Sequence, residues 1–106
     1  MAVGIDLCQI SRVSLEKRFV EFVLSPNEIE LMNKRVKKEE FLAGRFAAKE
    51  AFLKANHKGI GEIKMNQIEV LNKDCGAPYI IYDNKVYENV SISHDGDYAV
   101  AVVILW

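Results

Sequence analysis

The stretch EFLAGRFAAKEAFLKA, residues 40–55, predicts one long helix around which the rest of the chain folds. At about 100° per residue, its apolar side chains form a stripe on one side that is suited to packing against a sheet. That stripe consists of Phe41, Ala48, Phe52 and Ala55.

The opposite side carries Phe46, Glu50, Leu53 and Lys54. Glu50 and Lys54 lie one turn apart, and such pairs are often only exposed ion pairs that contribute about 0.2–0.5 kcal/mol. A functional role for this pair therefore depends on the rest of the chain.

Length and composition indicate one globular domain. With 106 residues the chain can form a single core but is too short for two domains of usual size. Half of its residues are hydrophobic and 27% are charged, which is typical of a folded protein rather than a disordered or fibrous one. We expect residues 1–106 to form a single domain.

Several classes of protein are disfavoured by the sequence. No apolar run approaches the ~20 residues of a spanning helix, and the start of the chain lacks the features of a secretory signal. Cys8 and Cys75 are far apart and lack the spacing of a zinc site, and a disulfide between them is unsupported in a reducing compartment. The net charge of −1 does not favour nucleic-acid binding. We expect a cytoplasmic protein that binds neither nucleic acid nor a membrane.

The N-terminal part of the chain predicts a strand followed by helices. Residues 2–8 read as a strand, and residues 11–24 have the mixed three and four spacing of a helix. Ser25 with Pro26 and Glu28 forms a capping-box pattern, which predicts a short second helix over residues 26–33. The long helix follows, and two glycines in residues 56–61 permit its C-terminal cap.

The C-terminal part predicts antiparallel strands. Residues 65–71 alternate weakly, residues 72–78 form a loop, and residues 79–82 are rich in strand formers. Two further strands, residues 91–94 and 98–105, flank a three-residue hairpin loop with Gly96 at its centre. The whole pattern predicts an α+β fold with a mostly antiparallel sheet and helices packed on one face.

The last predicted strand also bears on assembly. Residues 99–105 are apolar at nearly every position, so both faces of this strand must be covered. Helices of the same chain or of another subunit could do so. We therefore expect an oligomer.

Asp6 lies inside the first predicted strand, where an unpaired carboxylate would be costly. It could cap the following segment, or it could be a ligand of a hard cation. Two carboxylates from separate elements, here Asp6 and Glu50, are the usual protein contribution to a Mg²⁺ site. A lysine such as Lys54 can neutralise phosphate charge beside it. Phosphoryl transfer suits these three residues best, the alternative being a structural helix with exposed ion pairs.

A cationic run precedes the long helix and consists of Lys34, Arg35, Lys37 and Lys38. Such a run is usually a solvated face, but it is also what an anionic ligand or an acidic partner would need. The chain has neither a G-x-x-x-x-G-K-[ST] nor a G-x-G-x-x-G loop, so other phosphate-handling enzymes lack support. A non-catalytic α+β module that binds an acidic protein through the cations from Arg12 to Lys38 is the alternative to an enzyme.

The sequence resembles the phosphopantetheinyl transferases in two motifs. VGID at residues 3–6 and FAAKEAFLK at residues 46–54 are similar to the two signature motifs of that family. FLAGRFAAKEA at 41–51, GAPY at 76–79 and VSISH at 90–94 look specifically like the bacterial holo-[acyl-carrier-protein] synthase subgroup. The resemblance covers essentially the whole chain in the right order, and the long-helix motif is its most specific part.

This resemblance implies a Mg²⁺-dependent enzyme that moves 4′-phosphopantetheine from coenzyme A to a serine of apo acyl carrier protein and releases adenosine 3′,5′-bisphosphate. Asp6 and Glu50 would hold the metal, and Lys54 would contact the pyrophosphate. Either Glu50 or a hydroxide generated at the metal would take the proton of the serine. The implied fold is that of the 4′-phosphopantetheinyl transferases.

The resemblance also implies a homotrimer with active sites between neighbouring subunits. The residues expected at the adenine and 3′-phosphate end of coenzyme A are Arg45, Lys37, Pro78 and His94. Arg45 suits phosphate best because its guanidinium matches phosphate geometry. For His94, capping of a hairpin edge is the alternative role.

The first predicted helix would face the acidic carrier protein. The residues expected to bind it are Arg12, Lys17, Arg18, Phe19 and Phe46. Three positions depart from the family pattern: Leu53 stands where serine is frequent, His57 lies in a turn that is usually richer in glycine, and Asp95 stands where a hydroxyl is common. These departures affect the expected cofactor contacts and not the metal pair.

Overall fold

The structure, a computed structural model, describes residues 1–58 and 62–106. Its six strands are β1 (Ala2–Gln9), β2 (Glu69–Asn72), β3 (Pro78–Tyr82), β4 (Lys85–Tyr87), β5 (Val90–Asp95) and β6 (Tyr98–Leu105). Its three α-helices are α1 (Lys17–Val23), α2 (Pro26–Asn33) and α3 (Lys38–Ala55), and there are 3₁₀ turns at Ile10–Arg12 and Met65–Gln67. The predicted α+β class with antiparallel strands is confirmed. No helix in the described ranges is long and apolar enough to cross a membrane.

Helix α3 is the centre of the core, as its apolar stripe predicts. All four residues of that stripe are buried, and Phe52 is fully buried. Leu53 is also buried, with 1% of its surface exposed, so its predicted place on the polar side of the helix is wrong. The reason is that α3 packs against two sheets, and its buried face is therefore wider than a single stripe.

One face of α3 packs against the sheet β1-β6-β5, in which all neighbours are antiparallel. Ala99, Ala101 and Val103 point from β6 into this interface and are fully buried. A Cβ atom on Gly4 would overlap the carbonyl oxygen of Ala51, so β1 can approach α3 this closely only because residue 4 is glycine. The close approach brings the side chains of β1 that face α3 next to those of the helix.

The other face of this sheet is apolar on β1 and β6 and uncovered in the single chain, whereas β5 places Ser91 and Ser93 there. Val3, Ile5 and Leu7 on β1 are 56%, 60% and 63% exposed. Their cross-strand partners on β6 are Ile104, Val102 and Val100 respectively, all half-buried. We call these six residues the outer apolar face. Exposed apolar patches of this kind mark interaction surfaces.

A second three-stranded sheet, β2-β3-β4, completes the core, so the single sheet predicted from the sequence is in fact two sheets. Strand β4 was not predicted. It follows a two-residue turn in which Asp83 and Asn84 have φ values of 53° and 62°, the conformation of a type I′ hairpin turn. The rings of Tyr82 and Tyr87 pack edge-on against Phe52 at 5.8 and 5.1 Å, which joins this sheet to α3.

The first helix is shorter than the predicted range of 11–24. The chain forms a 3₁₀ turn and then an extended segment before α1 begins at Lys17. In that segment the Ser14 hydroxyl accepts a hydrogen bond from the backbone N–H of Glu16 at 3.1 Å, a local bond that competes with helix formation. The capping box at Ser25 and Glu28 is present as predicted, and α2 begins at Pro26.

Two turns also differ in detail from the sequence expectation. Asp95 pairs with Tyr98, so the β5–β6 hairpin loop has two residues rather than three, with Gly96 at φ 56°. Helix α3 ends at Ala55 with His57 at φ 57°, and Lys58 N–H donates to the Leu53 carbonyl at 2.9 Å. This is a Schellman-type end built on a histidine. The two glycines expected to cap the helix lie outside the described residues.

Candidate active site

Asp6 lies in the middle of β1 on the face that packs against α3, so its alternative role as a helix cap is wrong. Lys54 Nζ donates to Asp6 Oδ1 at 3.1 Å and to the Ile5 carbonyl at 2.9 Å. Lys54 therefore pairs with Asp6 across the β1–α3 contact. The i,i+4 pair with Glu50 is not among the ion pairs of the described residues.

Glu50 carries an unsatisfied buried oxygen beside Asp6. Its Oε1 atom has no hydrogen-bond partner among the described residues. Burial raises the pKa of Glu50, and repulsion from Asp6 raises it further, while Lys54 acts in the opposite direction. Two carboxylates that repel each other, one with a buried oxygen left unpaired, are the arrangement that a cation would stabilise.

The donor set at this point fits magnesium. Asp6 and Glu50 offer only carboxylate oxygens, the ligands that Mg²⁺ prefers, and Mg²⁺ commonly takes one or two carboxylates and completes its octahedron with water and phosphate. Within residues 1–58 and 62–106, no group of three or more His, Cys, Asp or Glu side chains could hold a metal.

A cavity of about 290 Å³ opens beside the two carboxylates, and we call it the carboxylate cavity. Its lining consists of Asp6, Leu7, Cys8, Arg12, Val13, Phe19, Phe46 and Glu50. Phe19 and Phe46, both expected at the carrier-protein surface, stack with ring centroids 6.3 Å apart. Burial raises the pKa of Cys8, with Asp6 adding to the effect and Arg12 opposing it, so the thiol stays protonated at neutral pH.

A second cavity, of about 210 Å³, lies at the start of α3, and we call it the arginine cavity. It is lined by Arg35, Val36, Lys37, Glu40, Phe41, Arg45 and His94. The guanidinium groups of Arg35 and Arg45 lie over the Phe41 ring, at 4.9 and 4.2 Å from its centroid. Three of the four residues expected at the phosphate end of coenzyme A, namely Lys37, Arg45 and His94, thus meet in one place.

Arg45 is a buried cation whose charge is incompletely compensated. Only 5% of its surface is exposed, and its Nε atom is buried without a hydrogen-bond partner in the described part of the chain. One terminal nitrogen donates to Asn72 Oδ1. Burial lowers the pKa of Arg45 to about 10, with Glu28 opposing and Arg35 adding to the shift, so the guanidinium is still charged at neutral pH. An anion in this cavity would relieve the repulsion between the two arginines.

His94 lies in β5, and its ring is fixed against the start of α3. Its Nε2 is 3.1 Å from the Glu40 carbonyl oxygen, and a Cβ on Gly44 would come within 2.8 Å of the same nitrogen. Pro78 lines neither cavity, but it is the register partner of Asn72, whose side chain binds Arg45. On α1, Lys17 and Arg18 are exposed to solvent.

The carboxylate cavity and the arginine cavity share no lining residue among those described. The predicted site residues therefore fall into two groups in the single chain: a metal-type group with an apolar wall, and an anion-type group. Sequence reasoning missed the roles of Phe41 and Asn72, and it named Arg35 only as part of the cationic run. A signal for Arg35 existed in that run, whereas none existed for Asn72, because its contact with Arg45 spans 27 residues.

Sequence reasoning also missed a buried ion pair behind the site. Lys49 and Glu28 are both 0% exposed, and Lys49 Nζ is 2.6 Å from Glu28 Oε1. Burial lowers the pKa of Lys49, and Glu28 opposes that shift. Lys49 immediately precedes Glu50 in α3, so this pair is anchored to the same helical turn as the candidate metal ligand.

Residues 2–103 match the model of the 4′-phosphopantetheinyl transferase superfamily. The chain is 45% identical to the holo-[acyl-carrier-protein] synthase of Enterococcus faecalis over 97% of this chain and 94% of that protein. It is 41% identical to the enzyme of the same name from Bacillus subtilis, over 97% and 93%.

Solved structures give the same result. A holo-(acyl-carrier-protein) synthase from Bacillus anthracis in complex with CoA (3′,5′-ADP) superimposes with a TM-score of 0.86 at 39% identity, covering 96% of this chain and 92% of that one. The Helicobacter pylori holo-[acyl-carrier-protein] synthase in complex with coenzyme A has a TM-score of 0.85 at 34% identity, covering 96% and 97%.

Proposed function

Because the chain belongs to the 4′-phosphopantetheinyl transferase superfamily, in its holo-[acyl-carrier-protein] synthase group, we propose that the two cavities serve one transfer reaction. The chain moves 4′-phosphopantetheine from coenzyme A to a serine of apo acyl carrier protein. The serine hydroxyl gives its proton to Glu50 or to a hydroxide, its oxygen forms a bond to the phosphorus next to pantetheine, the pyrophosphate P–O bond breaks, and adenosine 3′,5′-bisphosphate leaves with the bonding electron pair. The unpartnered Oε1 of Glu50 beside Asp6 is the observation that supports this assignment most directly.

Asp6 and Glu50 would hold Mg²⁺ at the mouth of the carboxylate cavity. The chemistry that a bound Mg²⁺ supplies is neutralisation of the pyrophosphate charge. Lys54 contributes a second positive charge: its side chain is 55% exposed, and its ammonium already lies 3.1 Å from Asp6. From there it can bind a pyrophosphate oxygen and stabilise the charge that develops on the leaving group.

The arginine cavity would bind the 3′-phosphate and adenine end of coenzyme A. Arg45 supports this role because it is buried, charged and only partly hydrogen-bonded. Lys37 and His94 line the same cavity, and Arg35 adds a second guanidinium. Pro78 would contribute through the Asn72 register pair beside Arg45. A guanidinium pair over an aromatic ring suits a phosphate joined to a flat base.

We further propose that the chain acts as a single domain within a homotrimer, with each active site between two subunits. Within one chain a third cavity of about 650 Å³ borders both the metal-type and the anion-type cavity, through Val13 and Lys37 respectively, so one coenzyme A molecule can extend between them. The outer apolar face supplies a surface for such an assembly, since its central pair Ile5 and Val102 points away from α3. Covering this face removes apolar area from water.

Helix α1 would face the carrier protein. Lys17 and Arg18 are exposed on it, and Arg12 lines the carboxylate cavity beside the Phe19–Phe46 stack. Cations around an aromatic patch complement an acidic partner and increase its rate of association. This arrangement would guide the acceptor serine toward Asp6 and Glu50.

The test is a mass measurement on the carrier protein. Apo acyl carrier protein is incubated with the chain, coenzyme A and Mg²⁺, and its intact mass is recorded; a mass gain equal to a phosphopantetheine arm is expected. Asp6→Ala and Glu50→Ala should abolish the gain, whereas Glu30→Ala, which changes an exposed acid on α2, should not. An unchanged carrier mass with the native chain would contradict the proposal, and carrier binding without transfer would support a non-catalytic module instead.

A further inference from the structure

The side chain of Lys49 is fully buried and fully hydrogen-bonded, yet it plays no part in the reaction as proposed. Its ammonium donates to Glu28 Oε1 at 2.6 Å, to the Val23 carbonyl at 2.5 Å and to the Met65 carbonyl at 3.0 Å. An ammonium has three donors, and all three are used. Lys49 is therefore held in one position from three directions.

The three acceptors belong to three different parts of the fold. Val23 is the last residue of α1, Glu28 lies in the first turn of α2, and Met65 opens the 3₁₀ turn before β2. Glu28 extends the network, because its Oε1 accepts the Ser25 N–H and its Oε2 accepts the Val70 N–H, both at 2.9 Å. Lys49 thus connects the turn of α3 that carries Glu50 to the end of α1.

The bond to Val23 also completes α1 itself. The last carbonyl groups of a helix lack partners within the helix and carry partial negative charge, so a cation there is stabilising. Helix α1 has no basic residue in its own last turn. Lys49 of α3 supplies that cation. The position of the C-terminal end of α1 is therefore fixed by its contact with α3.

Stability alone does not account for a buried ion pair at this position. Bringing both charges out of water is costly, and apolar residues of similar volume often replace such a pair without loss of stability. A charged network of fixed geometry instead determines where its elements lie. Here the elements are α1, which faces the carrier in the proposed function, and the turn of α3 that carries Glu50.

We propose that Lys49 is a positioning residue that holds α1 at a fixed place relative to Glu50, so that a carrier protein docked on α1 presents its serine to the metal site. The inference rests on the proposed function. It assigns to Lys49 a larger effect on the use of carrier protein than on the binding of coenzyme A, which the network reaches only through the charges of Glu28 and Lys49 near Arg45.

The main test is the pair Glu28→Gln with Lys49→Met, which removes both charges at once. We expect a folded protein whose KM for carrier protein rises by about tenfold, with a lower kcat, because small displacements of reacting groups are costly in rate. The KM for coenzyme A should stay within about twofold of the native value. Substitutions at sites far from each other usually influence each other by no more than this. If the Lys49–Glu28 pair only stabilised the fold, the paired variant would have a changed melting temperature, and the ratio of its two KM values would be that of the native chain.

Asn66→Ala is the matched control, because Asn66 also donates to a carbonyl of α1, that of Glu21, at 3.1 Å, but from an exposed position. It should leave the KM for carrier protein within about twofold. An equal rise in the control, or a native KM for carrier protein in the paired variant, would overturn the inference.

A second variant tests the inference in case the double variant does not fold. Lys49→Gln has a shorter side chain with two N–H donors for the three acceptors, so it cannot hold all three and should produce the same separation of the two KM values. If neither variant folds, the network is required for folding itself and the inference is wrong. Absence of transfer by the native chain would refute the proposed function, whereas an active native chain with unaltered variants would refute only the role of Lys49.

Discussion

At the scale of single residues, the site is defined by charges that the fold leaves uncompensated. Glu50 has a buried oxygen without a partner, and Arg45 has a buried nitrogen without one, both judged within the described residues. Buried polar atoms in folded proteins are normally paired. These two unpaired atoms lie in different cavities and belong to groups of opposite charge. This is expected if Glu50 binds a cation and Arg45 binds an anion.

Glu50→Gln should stabilise the metal-free protein at neutral pH. The raised pKa of Glu50 means that its ionised form is disfavoured in the folded chain, so the native protein loses stability as the pH rises through that pKa. Glutamine cannot ionise, and it also relieves the repulsion with Asp6. Thermal melts from pH 4 to pH 8 should show the two proteins converging at low pH and the variant melting higher at neutral pH.

Magnesium should reverse the order of the melting temperatures of the native chain and Glu50→Gln. Adding Mg²⁺ at neutral pH should raise the melting temperature of the native chain and leave that of Glu50→Gln nearly unchanged, because a ligand stabilises only the protein that binds it. Equal shifts in both proteins would argue against Glu50 as a ligand.

At the scale of elements, the contact between β1 and α3 places Asp6 beside Lys54. Strand β1 can lie this close because Gly4 has no side chain, and the Lys54 ammonium bonds to both the backbone and the carboxylate of the strand. The signature GID motif therefore combines a packing requirement at its glycine with a chemical role at its aspartate.

Gly4→Ala should be strongly destabilising. The added methyl would overlap the Ala51 carbonyl, which is backbone and cannot rotate away, so β1 must move off the helix. We expect a loss of about 1–3 kcal/mol in the free energy of unfolding, measured with urea. Lys85→Ala on the exposed strand β4 is the control and should change it by less than about 0.5 kcal/mol. A Gly4→Ala loss as small as that of the control would contradict the close packing.

Helix α1 should act through its charge. Arg18→Glu is expected to raise the KM for carrier protein at low salt, and the difference from the native chain should shrink as salt screens the charges. The KM for coenzyme A should not change. Lys85→Glu makes the same charge change far from α1 and serves as the control; if it raised the KM for carrier protein equally, net charge and not α1 would be responsible.

At the scale of the whole molecule, the uncovered outer apolar face is the feature that the proposed assembly would explain. Val102 lies at the centre of the outer apolar face, paired with Ile5. Apolar faces of this kind are normally covered in the native assembly.

Val102→Glu should dissociate the proposed trimer and abolish transfer. Light scattering should give about three times 12.0 kDa for the native chain and 12.0 kDa for the variant, since a buried carboxylate at the interface would be unpaired. Val86→Glu, on β4 and 60% exposed, makes the same change outside the outer apolar face and should leave the mass unaltered. A native chain that is monomeric while fully active would contradict the intersubunit site.

The sequence by itself determined what depends on neighbours along the chain. The long helix follows from its 3.6-residue period, α2 from the capping box at Ser25, and the C-terminal strands from their residue types. The motifs around Asp6 and Glu50 were enough to predict the family. The boundaries of α1 were wrong because a local hydrogen bond at Ser14 replaced the first helical turns.

Only the tertiary structure decided which distant residues meet. It paired Lys54 with Asp6 rather than Glu50, placed Lys49 against Glu28, and buried Leu53. It also divided the strands into two sheets. These contacts connect positions 21 to 48 residues apart, and they depend on how elements pack rather than on local propensity, so no periodicity along the chain could have shown them.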